Sequence, residues 1–208
     1  MDFRLTDDQE LLRRSVREFA ETEIRPHVME WDNAQHFPIE LVPKLADLGL
    51  MGIQFPDEYG GSGMSAIDYC ICLEEIARVD PSVSLSVAAH NGLCAAHLFM
   101  FGNEAQKRTY LVPLARGEKI GAWGLTESSS GSDAAGMRTM ATRDGGAWVV
   151  NGSKTFTTHG RVGDTLVDDL AQVTLDQRRR LGPGKVVELG HAQRADFQHV
   201  AKTLGGDQ

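Results

Sequence analysis

The stretch Ala122-Trp123-Gly124-Leu125-Thr126-Glu127-Ser128-Ser129-Ser130-Gly131-Ser132-Asp133 divides the chain into two kinds of sequence. Residues before it follow helical patterns, and residues after it, up to about Gly160, follow strand and turn patterns. An apolar run that ends at Thr126-Glu127, followed by five small residues, predicts a strand that opens into a bare loop. Such a loop exposes backbone N–H groups and hydroxyls, which suits phosphate or another flat polar ligand. On composition alone, a solvated turn is the alternative.

The composition is that of an acidic protein with enough apolar material to fold. The chain has 208 residues, of which 41% are hydrophobic, and a formal net charge of −8. This amount of apolar sequence allows one large domain or two small ones. The acidic balance, with no obvious basic face, argues against a nucleic-acid partner.

The expected compartment is the cytoplasm. The sequence from Met1 to Arg4 shows no targeting signal, and no apolar run approaches the length of a membrane span, so we expect no membrane span. We expect Cys70, Cys72 and Cys94 to be buried free thiols, because their spacing is not that of a metal site. Free thiols indicate a reducing compartment.

Residues 1–118 predict a helical bundle. Thr6 and Gln9 have the spacing of a capping box, and the apolar residues behind them predict a helix to about Arg25. Further helices are predicted at 38–49, 65–79, 82–101 and 104–115. The helix at 82–101 is apolar on most sides, which is typical of a central helix. We interpret its His90 and His97 as core or interface residues; a metal or base role is the alternative.

Residues 119–167 predict the start of an antiparallel β domain. Three strands are expected, at Trp123–Thr126, Ala147–Val150 and Lys154–Thr158. Turns are expected at Asp144-Gly145-Gly146 and at Asn151-Gly152. Three strands are too few to be stable alone.

Five motifs, in matching order and spacing, resemble the acyl-CoA dehydrogenase family over residues 1 to about 160. They are Phe55-Pro56-Asp57-Glu58-Tyr59-Gly60-Gly61, Glu104-Ala105-Gln106-Lys107 with Tyr110-Leu111, Gly117-Glu118, Leu125-Thr126-Glu127 with Gly131-Ser132-Asp133, and Asn151-Gly152-Ser153-Lys154-Thr155-Phe156 with Thr158.

The resemblance implies a mainly α protein, in which a helical N-terminal domain precedes a β domain and a C-terminal helical domain. It implies FAD as cofactor, acyl-CoA as substrate, trans-2-enoyl-CoA as product, and an electron-transfer flavoprotein as electron acceptor. Family members are usually homotetramers or dimers, and fatty acid metabolism is the expected role.

The resemblance also assigns two flavin-contacting segments. Thr126 would bond the edge of the isoalloxazine ring, Ser132 would lie where FAD and the CoA-bearing substrate meet, Phe156 would lie against the ring, and Thr158 would bond near its reactive nitrogen. The full expected cofactor set is Trp123, Leu125, Thr126, Gly131, Ser132, Phe156, Thr157 and Thr158, and Ser132 is also the expected substrate contact.

The sequence departs from the family pattern at three places. Ser128-Ser129 stands where Pro-Gly is common, and His159 stands where Asn is common. From about residue 168 the pattern is atypical, with polar helices expected at 168–180 and 192–204. We hypothesise that a frameshift or truncation replaced the native continuation; translation of the gene's other two reading frames tests this. The family's catalytic glutamate belongs to that continuation, so no catalytic residue is assigned.

Two alternative functions remain open at the level of sequence. The same fold serves flavin oxidases and monooxygenases, which differ in whether oxygen reaches the reduced flavin. A non-catalytic helical fragment that acts as an interaction module is the second alternative, because the expected β domain is half-built, with open strand edges, and the domain that carries the catalytic base is missing.

Overall fold

The computed structural model describes residues 4–144 and 147–168, together with the backbone of short strands at 172–174, 185–188 and 199–201. Its N-terminal half is the predicted bundle, and its α-helices are α1 Asp7–Phe19, α2 Val28–Ala34, α3 Leu41–Asp47, α4 Ala66–Ala77, α5 Pro81–Ala88, α6 Ala96–Phe101, α7 Glu104–Gln106 and α8 Val112–Ala115. Segments of π-helix at Ala20–Ile24, Ala89–Ala95 and Lys107–Leu111 continue α1, join α5 to α6 and join α7 to α8, respectively.

Local sequence signals set where these helices begin. Thr6 and Gln9 form the predicted capping box, with both side chains bonded to the other residue's backbone N–H. Ser65 and Asp68 form a second box at the start of α4. Asp80 accepts bonds from the N–H groups of Ser82 and Val83 at the start of α5, so the break between the helices predicted at 65–79 and 82–101 is confirmed.

The helix from Pro81 to Phe101 runs through the bundle with one buried side. By length and composition this helix could cross a membrane, contrary to the prediction that no apolar run comes close to that length, but half of its most apolar stretch is buried inside the fold. Its centre is polar and satisfied: the Asn91 side-chain amide donates to Leu50 O at 2.9 Å and to Val87 O at 3.0 Å. Leu85 and Phe101 are exposed, so the helix is not buried on every side.

Two apolar clusters form the core. The first joins α1 and the chain before α4 to α4 and α5, with Ile24, Leu50, Ile53 and Ile76 wholly buried. The second cluster joins α6, α8 and the π-helical segment between α7 and α8 to the β segment. In it, Leu98, Leu111 and Leu114 pack with Val167, which lies in a strand.

In the part of the β segment that the structure describes, seven short strands form two sheets. They are β1 Gly121–Gly124, β2 Met140–Asp144, β3 Ala147–Asn151, β4 Thr165–Asp168, β5 Gln172–Thr174, β6 Lys185–Glu188 and β7 His199–Ala201. One sheet has the order β1-β4-β6 and the other the order β5-β2-β3-β7. β2 and β3 form an antiparallel hairpin; β3 is the strand predicted at Ala147–Val150, whereas β2 was not predicted. The turn predicted at 144–146 includes residues 145–146, which lie outside the described residues. The β1–β4 pair is parallel, so the segment is mixed.

Three local predictions are wrong. Lys154–Thr158 is a loop that touches β1 through one bridge at Thr158, because Phe156 adopts a left-handed backbone that interrupts an extended strand. Cys70 is exposed while Cys72 is buried, since residues two apart point to opposite sides of a helix. In the described part of the tail, residues 172–174 and 199–201 form strands, although helices were expected at 168–180 and 192–204. Their hydrogen-bond partners lie in β2 and β3, and a local helix pattern carries no information about such distant partners.

Candidate functional site

The loop after β1 is fixed by its own hydrogen bonds. The N–H of Glu127 donates to Ser130 O at 2.7 Å, and the N–H of Ser130 donates back to Glu127 O at 3.3 Å. The Ser130 hydroxyl then donates to Asp133 O at 2.6 Å. These bonds close a tight turn that fixes the backbone of the Ser/Gly stretch, while Ser128, Ser129 and Ser132 are exposed.

The second predicted segment lies directly against this loop. The N–H of Thr155 donates to Thr126 O at 2.7 Å, and Trp123 pairs with Thr158 in an isolated antiparallel bridge. Thr126 and Thr158 are both half-buried. The structure therefore brings together two stretches that are about thirty residues apart in sequence, as the resemblance implied.

Phe156 stands out of the surface between these segments. Its side chain is 93% exposed, and its backbone φ is +57°, a conformation that few non-glycine residues adopt. A large aromatic ring held in water by an unfavourable backbone is a candidate contact for another flat surface.

The remaining predicted residues surround this centre. Gly131 lies against Thr126, since a Cβ added there would meet the Thr126 methyl at 3.5 Å, and Ser132 is exposed at the next position. Leu125 is half-buried. The Trp123 indole stacks on His97 with the ring centroids 5.9 Å apart, which gives His97 a packing role. The indole Nε1 and the Thr157 hydroxyl are buried without a hydrogen-bond partner.

Two buried histidines hold the start of β1. His90 is wholly buried; its Nδ1 accepts from the N–H of Gly121 at 3.0 Å, and its Nε2 donates to Met51 O and Leu114 O, both at 3.1 Å. On the other side, His159 Nδ1 donates to Gly121 O at 2.8 Å. Burial lowers the pKa of His90 to about 4, helped by the nearby His159, and burial also lowers the pKa of His159.

His90 is therefore a core residue, as interpreted from sequence. Within residues 4–144 and 147–168, no group of three or more His, Cys, Asp or Glu side chains could hold a metal ion. The role of His159 in holding Gly121 could not be predicted from sequence, because nothing in a pattern pairs residue 159 with residue 121.

A buried ion cluster lies beneath the two segments. Lys154 Nζ lies 2.9 Å from Glu127 Oε1 and 3.7 Å from Asp168 Oδ1, and it also donates to Leu125 O at 3.0 Å. All three charged side chains are at least nine-tenths buried. The Glu127 carboxylate also accepts from the N–H groups of Arg138 at 2.7 Å and Thr139 at 2.9 Å.

This cluster keeps Glu127 ionised. Burial raises the pKa of its carboxyl, but the hydrogen bonds from Thr139, Lys154 and Arg138 outweigh it and bring the pKa to about 2. Sequence reasoning missed the cluster, since the family motifs place Glu127 and Lys154 in separate segments and give no sign that they touch.

Two family models match this chain. Residues 6–118 match the family model for the acyl-CoA dehydrogenase N-terminal domain, and residues 122–179 match the model for its middle domain. The second match continues past residue 167, where the family-like pattern was expected to stop.

Individual relatives cover much more of this chain than this chain covers of them. It is 48% identical over 167 residues to a short-chain specific acyl-CoA dehydrogenase of Clostridium acetobutylicum, which covers 80% of this chain and 44% of that protein. Among solved structures, the butyryl-CoA dehydrogenase of Megasphaera elsdenii matches with a TM-score of 0.82 at 36% identity, covering 92% of this chain and 51% of that one. A glutaryl-CoA dehydrogenase of Mycobacterium smegmatis in complex with FADH2 matches with a TM-score of 0.80 at 33% identity, covering 88% and 46%.

Proposed function

The chain belongs to the acyl-CoA dehydrogenase family, and we propose that it forms the FAD-contacting part of an acyl-CoA dehydrogenase that converts acyl-CoA to trans-2-enoyl-CoA. The chain spans less than half the length of the curated relative described above, so the activity is proposed for the whole protein to which these segments correspond. When bound, FAD would accept the electrons that this oxidation removes from the substrate.

The residues at the site fit a flavin. Thr126 and Thr158 place two hydroxyls on neighbouring segments, and donors at a flavin edge stabilise negative charge on the reduced ring. Phe156 offers an uncovered aromatic face of the kind that stacks on a flat ring and excludes water. Trp123, Leu125, Gly131, Ser132 and Thr157 would complete the cofactor contacts.

The other assignments extend this proposal to the whole protein. Ser132, which is exposed at the end of the loop, is the proposed contact with the CoA-bearing substrate. An electron-transfer flavoprotein is the proposed electron acceptor, and a homo-oligomer the proposed assembly. We further propose a cytoplasmic location and a role in fatty acid metabolism. The Clostridium relative is named short-chain specific, which supports a short acyl chain.

The exposed Phe156 ring beside the joined Thr126 and Thr158 segments carries the proposal. Its test is a titration of the purified 208-residue chain with FAD, followed by visible absorption and by quenching of flavin fluorescence. We expect Phe156→Ala to weaken FAD binding about tenfold, the order of magnitude of one lost aromatic stacking contact. Phe101→Ala is the matched control, because Phe101 is also an exposed aromatic residue but lies at the end of α6.

Each outcome has a separate meaning. Binding that Phe156→Ala weakens and Phe101→Ala leaves unchanged supports the site. Binding that neither variant changes places the flavin elsewhere. A folded chain that binds no FAD contradicts the proposal that this chain forms the FAD-contacting part.

A further inference from the structure

The ion cluster of Glu127, Lys154 and Asp168 joins every segment that forms the candidate site. Glu127 belongs to the first segment, Lys154 directly precedes the second, and Asp168 ends β4, which pairs with β1. Because the Glu127 carboxylate also accepts two backbone N–H bonds from Arg138 and Thr139, the cluster reaches the chain that leads into β2.

The packing around the cluster is close. At Gly124, the last residue of β1, an added Cβ would meet Asp168 Oδ1 at 3.0 Å and Lys154 Cγ at 3.4 Å. The absence of a side chain at Gly124 lets β1 lie directly on the cluster. The Lys154 stem therefore passes under β1 before its ammonium reaches Leu125 O, one residue before Thr126.

We propose that Lys154 is a positioning residue for the cofactor site, which fixes Thr126 relative to Thr158 by bonding Leu125 O and the Glu127 carboxylate. The inference rests on the proposed function, since it concerns the same site. Lys154 does not contact the cofactor in this proposal; it acts through the backbone of the first segment, while the Thr155–Thr126 bond holds the second segment to it.

The charges of the cluster make this role distinguishable from simple space filling. Lys154 Nζ lies within 4 Å of both carboxylates, so its removal takes away a positive charge shared by two buried carboxylates that lie within about 8 Å of one another. Like charges at this separation disfavour ionisation of both groups. Arg138 is exposed and contributes only its N–H to Glu127, so it does not replace the missing charge.

The experiment compares wild type with Lys154→Met, which keeps a similar stem and removes the charge. Amide hydrogen exchange is measured on the chain without FAD, at the N–H groups of Glu127, Thr139 and Thr155. For each amide, the protection factor of the variant is divided by that of wild type at the same pH. We expect this ratio to fall at least tenfold at pH 8 and to recover by pH 5, because protonation of one carboxyl relieves the repulsion. We expect the FAD dissociation constant to rise and recover in parallel. Amides of Leu98 and Leu111 in the helical core confirm that the variant is folded.

Two further variants control for charge. Lys44→Met removes a lysine from an exposed ion pair with Glu23 in the helical domain, and we expect no effect on the site amides. Lys154→Arg keeps the positive charge, so it should be protected at pH 8 without acid. If Lys154→Met alone does not fold, Lys154→Arg still tests the charge argument: a folded Lys154→Arg chain that loses protection of the site amides at pH 8 overturns it.

The proposal is overturned if Lys154→Met keeps its protection, or loses it equally at pH 5 and pH 8. It is also overturned if protection falls and FAD affinity does not. If the wild-type chain binds no FAD but the variant shows the acid-recovered loss of protection, the proposed function fails while Lys154 remains the residue that orders the two segments.

Discussion

Acid should destabilise this protein mainly through His90 before its carboxylates begin to titrate. His90 Nδ1 accepts from the N–H of Gly121, and Nε2 already donates to two carbonyls, so the neutral imidazole uses both nitrogens. A second proton would turn Nδ1 into a donor facing another donor, at a side chain that is wholly buried. The protonated form is therefore disfavoured in the folded state alone.

The sign and size of the effect follow from the pKa of His90. Its folded value of about 4 lies below the value of about 6.5 expected in an unfolded chain, so the unfolded state binds more protons between these limits. Stability is complete above about pH 6.5 and falls as the pH falls. At about 1.4 kcal/mol per pKa unit, His90 removes about 2 kcal/mol of unfolding free energy between pH 7 and pH 5, and about 3 kcal/mol in total by pH 4. Carboxylates such as Glu75, whose hydrogen bonds to Arg17 lower its pKa, lose their contribution only below their unfolded value of about 4.5.

The measurement is urea unfolding followed by far-ultraviolet circular dichroism at pH 5, 6, 7 and 8. His90→Gln keeps a donor and an acceptor at the site but does not titrate; we expect lower stability at pH 7 and a shallower loss toward pH 5. His36→Gln, at an exposed histidine, controls for loss of a histidine as such. The lowered pKa of His159 gives both proteins a residual slope of the same sign. A wild-type slope equal to that of His90→Gln would refute the reasoning.

Two further predictions concern the helical half. Glu75→Gln should lower the free energy of unfolding by about 1–3 kcal/mol, because the buried carboxylate accepts charged hydrogen bonds from both Arg17 and Arg78. Urea unfolding measures this loss. Glu74→Gln, on the exposed side of the same helix, is the control and should change the free energy of unfolding little. In the native protein, a thiol reagent should modify the exposed Cys70 quickly, and Cys72 and Cys94 only on unfolding, because burial raises the pKa of both buried thiols to about 12. Mass spectrometry counts the modified thiols. Fast modification of more than one thiol at neutral pH would contradict this prediction.

The helical half could be predicted from sequence because its signals are local. Thr6 with Gln9, Ser65 and Asp80-Pro81 each determine a helix start within a few residues, and each start was confirmed. The β segment depends on partners distant in the chain. The parallel pairing of β1 with β4 joins residues more than forty apart, and no turn motif encodes it.

The candidate site shows the same division. The family motifs placed Thr126, Phe156 and Thr158 in one site, and the structure brings the two segments together. Local pattern nevertheless read 154–158 as a strand, since its side chains alternate. The left-handed backbone at Phe156 and the burial of Lys154 break that alternation where the site is formed. A departure from local regularity is therefore itself a sign of the site.

The buried cluster also decides what Glu127 can do. Removal of a weakly acidic α-proton requires a carboxylate that is free to accept a proton and is positioned over the substrate. Both oxygens of Glu127 are already occupied, Oε1 by Lys154 and the N–H of Thr139, and Oε2 by the N–H of Arg138. With its pKa at about 2, this carboxylate is a poor proton acceptor near neutral pH. Glu127 thus holds the loop in place through these hydrogen bonds, and the base of the proposed reaction is a different residue.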